Sequence, residues 1–169
     1  ITQGGNIAPV TTATLNAVTT EKLAAQVLKG KQLFYDAQDP RLALQQYISC
    51  AVCHNDAGHD GRVWDLTGFG EGLRNTITLK GHATHGMLHW TGNFDEVQDF
   101  EGQIRALAGG TGLMTDTQLN TGTRNQPLGD AKAGVSTDLD ALAAYVKSLT
   151  VNGNSPSRTS SGALSTAAT

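Results

Sequence analysis
The sequence predicts a mainly α fold, with about three to five helices joined by long loops. Three observations lead there: apolar residues recur at helical spacing in three stretches, no stretch alternates apolar and polar residues as a strand would, and 20 glycines punctuate the intervals. The first helix is predicted over residues 21–36, where Leu23, Val27, Leu28 and Phe34 recur near the helical period and Gly30 is a tolerated weak point. A second is predicted to open at Asn93 as N-cap. It places Phe94, Val97, Phe100, Ile104 and Leu107 on one stripe and stops at Gly109-Gly110. Asp95, Glu96 and Asp99 read as its solvated, dipole-complementing start. The third is predicted to begin after Ser136-Thr137, with Asp138 and Asp140 at its start. Leu139, Leu142, Ala143, Val146 and Leu149 form its apolar face, and Lys147 lies near its C-terminal end.

These helices fall inside residues 21–150, which read as one domain. Residues 1–20 carry no charge, and residues 151–169 are rich in Ser, Thr and Gly with Arg158 as their only charge. Neither end buries enough apolar surface to fold alone, so they read as an N-terminal arm and a C-terminal tail. The arm, rich in Thr and Val, is suited to adding as a strand to a neighbour's sheet edge. A net charge of −3 with no Lys/Arg run excludes an electrostatic case for nucleic acid. No apolar stretch approaches the ~20 residues needed to cross a bilayer. An isoleucine at position 1 is compatible with removal of a signal peptide.

The chemistry concentrates in "ISCAVCHNDAGHDG", residues 48–61, which holds both cysteines of the chain. Four readings compete. A zinc site needs four ligands, and His82, His85 and His89 would have to complete the pair. A thioredoxin-like dithiol belongs on a βαβ unit, which the pattern lacks. A two-residue disulfide closes too short a loop to stabilise much. Haem accounts for every residue: two thiols at this spacing add to the two vinyl groups of one porphyrin edge, and His54 follows to take the iron. One haem c (heme c), attached through Cys50 and Cys53 with His54 as proximal ligand, is therefore expected. His54 is further expected to donate its second ring N–H to a backbone carbonyl.

The motif lies between "GKQLFYD" and "DLDALAAYVKSLT", and so set it resembles a c-type cytochrome. That resemblance implies N- and C-terminal helices crossing beside one covalent haem. Residues 28–108 more closely resemble the haem domains of the bacterial dihaem cytochrome c peroxidase family. The pieces that carry the likeness are "GKQLF" (30–34), "SCAVCH" (49–54), "LRN" (73–75) and "HWTGNFDEVQDF" (89–100). In that family a strand-like "LRN" piece precedes the loop carrying the distal iron ligand, and laying Gly92 on the family's glycine puts His89 at the ligand position. Trp90 and Phe94 would wall the pocket. Met114, in the loop before the last helix, is the rival; His85, Met87 or an open site are the other choices. His82 shares the Gly-bounded loop with His85 and is likewise placed to swing in, whereas His59 is expected to stay on the proximal side, in a loop or exposed.

The resemblance also suggests Arg74 at a haem propionate, with Arg62 a weaker candidate. Trp64 is suited either to the porphyrin edge, where it would pack or donate its indole N–H, or to ordinary core packing. The family carries two haem motifs and this sequence one, which points away from peroxidase chemistry within the chain. The expected function is one-electron transport by a monohaem c-type cytochrome with bis-His iron and a redox partner protein. A peroxidase- or oxidase-like haem domain is the first alternative. The second is a cytochrome subunit of a polymer or larger complex, a homo-oligomer among the possibilities, contacting through the terminal arms. Covalent haem attachment implies a place outside the cytoplasm: periplasm, cell surface or secreted.

Overall fold
A computed structural model describes residues 2–3, 6–7, 13, 15, 17–84, 86–150, 155 and 157–166. In chain order its strands and α-helices are β1 (Thr2–Gln3), β2 (Asn6–Ile7), α1 (Ala25–Tyr35), α2 (Cys50–Cys53), β3 (Val63–Leu66), β4 (Gly72–Asn75), α3 (Phe100–Ala106), α4 (Asp116–Leu119) and α5 (Thr137–Ser148). β1 pairs with β2 and β3 with β4, both antiparallel.

The frame is α1 crossed by α5. Ser136 caps α5, its hydroxyl accepting from the Leu139 amide at 3.4 Å and donating to the Leu113 carbonyl at 2.6 Å. Leu139, Leu142, Ala143 and Val146 then face inward. Gly30 is where the two helices meet: a Cβ added there would lie 1.8 Å from the Ala141 carbonyl oxygen and 2.8 Å from Tyr145 Cβ. What reads in sequence as a weak point is thus the contact that lets the helices approach. One turn on, Phe34 packs edge-on to Tyr145 with ring centroids 5.2 Å apart. Phe34 and Leu139 are enclosed in a core that also takes in Leu33, Leu88, Phe94, Ile104 and Met114. Burying each such side chain contributes about 1.5–3 kcal/mol.

The expectation of a mainly α fold is corrected. Of the described residues 34% are helical and 10% in strands, a weakly mixed content. α2 and α4 are single turns of 4 residues each. Glycines contribute to this: among the described residues 11 of them adopt positive φ, and most lie in the turns between elements, where they redirect the chain. The β3–β4 hairpin was not legible because its strands are largely exposed and carry no apolar face.

The second helix also differs from expectation. Asn93 does not cap it. A short 3-10 turn at Val97–Asp99 comes first, with Glu96 as N-cap reciprocated by Asp99 in a capping box, and α3 follows. Asp99 is not solvated but enclosed, its carboxylate 2.5 Å from the Lys132 ammonium, which is itself buried. Glu96 accepts from the Lys132 and Ala133 amides at 2.5 and 3.2 Å, so both carboxylates pin the 130–135 loop onto this turn. Leu107, placed on the apolar stripe, is exposed.

Candidate functional site
Cys50 and Cys53 open and close the single turn of α2, so they share one face of it. Both are free thiols. Burial pushes the Cys50 thiol up to about 11, and burial also raises that of Cys53. His54 ends the turn, its amide bonded to the Cys50 carbonyl at 3.0 Å. Asp56 and Ala57 then take positive φ of 48° and 62°, which reverses the chain. Residues 77–79 run back beneath the turn: the Leu79 amide donates to the Ala57 carbonyl at 2.9 Å, and His54 Nδ1 lies 2.9 Å from the Ile77 carbonyl oxygen. A carbonyl only accepts, so Nδ1 carries the proton and Nε2 keeps its lone pair. Burial lowers the His54 pKa, backbone contacts from Ile77 and Gly58 oppose that shift, and the neighbouring His82 adds to it. The half-buried ring is thereby held in the neutral form that ligates a metal.

His89 sits in a loop closed by the Leu88 amide donating to the Phe94 carbonyl at 2.7 Å. Its backbone is in the left-handed region at φ 65°, and Gly92 follows at φ 64°. The imidazole is half-buried, tilted over Phe94 at 4.2 Å between centroids and edge-on to Phe100 at 4.8 Å. Nδ1 lies 2.7 Å from Asn93 Oδ1. Two contacts tie the loop to the hairpin. The exposed Trp90 indole donates to the Asn75 carbonyl at 2.8 Å, and the Thr91 hydroxyl donates to the buried Glu71 carboxylate.

The other candidates are distributed as follows. Trp64 and Arg74 are cross-strand partners and share one face of the hairpin. The Trp64 indole donates to Asp60 at 3.0 Å, and the Thr76 hydroxyl to the same carboxylate at 2.8 Å. Arg74 Nε lies 3.4 Å from Glu71 Oε2, yet it is enclosed without a hydrogen bond, while Nη1 donates to the Leu73 carbonyl at 3.0 Å. His59 is exposed, accepting from the Gly61 amide at 3.2 Å. His82 opens the short turn His82–Thr84. Met87 is exposed, whereas Met114 is enclosed in the core with its peptide held by Glu101 and Arg105. His85 lies outside the described residues. Among the described residues no three His, Cys, Asp or Glu side chains gather as a metal cluster.

Two free thiols on one face of a turn, a neutral imidazole beside them and an enclosed arginine N–H that makes no hydrogen bond fit the groups that a haem with its propionates takes. Zinc, needing further converging ligands, is served less well. Sequence reasoning missed Asn93 as a histidine partner and Glu71 as the carboxylate that holds the loop carrying His89. The four-residue spacing of His89 and Asn93 was the signal for the first.

The profile of the family described as di-haem cytochrome c peroxidase matches residues 24–108. No curated protein matches the chain. Among solved structures, hydrazine synthase of Kuenenia stuttgartiensis, pressurised with 20 bar xenon, is similar with a TM-score of 0.52 and 22% identity. The match covers 95% of this chain and 54% of that one, so the chain spans about half the length of its structural neighbour, and the likeness is one of fold.

Proposed function
Because the chain belongs to the di-haem cytochrome c peroxidase family, we propose that it is a one-haem unit of that family that passes single electrons to and from a redox partner protein. Cys50 and Cys53 attach the haem, His54 is its proximal ligand and His89 the distal one. The group supplies a one-electron couple at its iron. The observation that carries the reading is the 2.9 Å contact of His54 Nδ1 with the Ile77 carbonyl, which orients the ring and leaves Nε2 for the metal. Trp64, Arg74 and Trp90 lie on or against the hairpin and are the side chains proposed at the haem edge, Arg74 for a propionate. Attachment of this kind takes place outside the cytoplasm, so the protein works in the periplasm, at the cell surface or beyond. Among the described residues no helix is long and apolar enough to cross a membrane.

The test is mass spectrometry of the denatured holoprotein together with its ferric spectrum. One haem adduct, lost in the Cys50→Ala/Cys53→Ala variant, and a low-spin spectrum without the methionine-to-iron band at the red end of the visible are expected. No covalent adduct, or a strong methionine band, would refute the assignment.

A second reading, a peroxidase-like haem domain working within a larger assembly, is favoured by the family and by the strained backbone at His89. Left-handed φ at a non-glycine residue stores energy that moving the ligand would release. In that assembly residues 1–20 and 151–169 are the proposed contact arms. A high-spin ferric form that binds cyanide at once, and a change in oligomeric size on deleting residues 1–20, would favour it.

A further inference from the structure
We propose that Asn93 is the positioning residue for His89, fixing both the tautomer and the rotation of its imidazole so that Nε2 is the nitrogen presented for coordination. This rests on the reading of His89 as the distal ligand. A neutral imidazole has one donor and one acceptor nitrogen, and the partner of one decides the role of the other. Asn93 Oδ1 lies 2.7 Å from His89 Nδ1, at the short end of N–H···O contacts, and an amide oxygen only accepts. The proton is therefore on Nδ1 and the lone pair on Nε2. The geometry is held from three further directions. Phe94 lies over the ring at 4.2 Å and Phe100 meets it edge-on at 4.8 Å. The Leu88 to Phe94 backbone bond of 2.7 Å closes the loop one residue outside the His89–Asn93 contact. His89 also holds φ 65°, a conformation that a β-substituted residue keeps only when its surroundings over-determine it. The Asn93 contact is one of the restraints that do so.

The two histidines consequently differ. His54 leans on the Ile77 backbone carbonyl, which no substitution removes, whereas His89 leans on a side chain that can be strengthened or deleted. Outer partners of this kind change metal affinity or activity by roughly 10–100-fold when lost.

The experiment measures, in the ferric holoprotein, the rate at which added imidazole binds, and the midpoint potential, for the wild type, His89→Ala, Asn93→Leu and Asn93→Asp. His89→Ala is expected to bind imidazole far faster than the wild type; if it does not, His89 is not the distal ligand, and both readings fall. With His89→Ala fast, Asn93→Leu is expected to accelerate imidazole entry by about 10–100-fold and to raise the potential. Asn93→Asp, which keeps an acceptor and gives Nδ1–H a stronger one, is expected to stay near the wild-type rate and to lower the potential. Asn93→Leu indistinguishable from wild type, or Asn93→Asp as fast as Asn93→Leu, would overturn the role of Asn93 while leaving His89 as ligand.

Discussion
Replacing Glu101 tests how the loop before α4 is held. Its carboxylate has no exposed surface and receives three donors: the Leu113 amide at 2.8 Å, the Met114 amide at 3.2 Å and Arg105 Nε at 2.8 Å. Arg105 in turn donates to the Met114 carbonyl at 2.6 Å, so the pair grips the Met114 backbone at both its N–H and its C=O. The backbone wraps so tightly that a Cβ on Gly112 would lie 2.0 Å from Glu101 Oε1. Glu101→Ala leaves two enclosed amides without acceptors, at about 1–3 kcal/mol each. Removing one partner of a buried ion pair costs about 3–5 kcal/mol when considered whole. Arg105 keeps Met114 and Asp116 as partners, so the lower part of that range applies and a loss of about 3 kcal/mol is expected. Glu101→Gln keeps the volume and one acceptor oxygen and should cost about 2 kcal/mol. Urea unfolding followed by far-UV circular dichroism reads both, with the slope unchanged. A loss under about 1 kcal/mol for Glu101→Ala would show that the loop is held by something other than this carboxylate.

Gly30→Ala is expected to destabilise by about 1–2 kcal/mol, because the close approach to Ala141 outweighs the ~1 kcal/mol that alanine gains in helix propensity; a raised melting temperature would refute the contact. The Arg41 guanidinium beside Asp39 holds its carboxyl below the ordinary 3.8. Since the folded value is depressed, the stabilisation is complete above 3.8 and is lost as the pH falls through the native value, so Asp39→Asn should lower the urea midpoint at pH 7 but not at the acid end of a titration. An equal loss at both ends would dismiss the pair.

What could be read in the sequence was local. Cys50, Cys53 and His54 are neighbours along the chain, and one helical turn suffices to bring their side chains together. α5 was legible because its cap and its apolar stripe lie within one segment. The misreadings involve partners that sequence separates or hides. Asp99 looks solvated until Lys132 arrives from 33 residues downstream. Asn93 has the chemistry of a helix cap, and only the fold shows its amide spent on His89. The hairpin lacks alternation because its strands lie largely on the surface, so patterning had nothing to register.

One short piece of chain serves both rings. The carbonyl of Asn75 takes the indole of Trp90, the neighbour of His89, and the carbonyl of Ile77, two residues on, takes the His54 imidazole. The Trp90 indole and the His54 imidazole are therefore hung from a common rail rather than from separate walls. A push on the hairpin that tilts this rail would shift these two rings together. A partner docking on the exposed face of the hairpin would reach them jointly, without touching either.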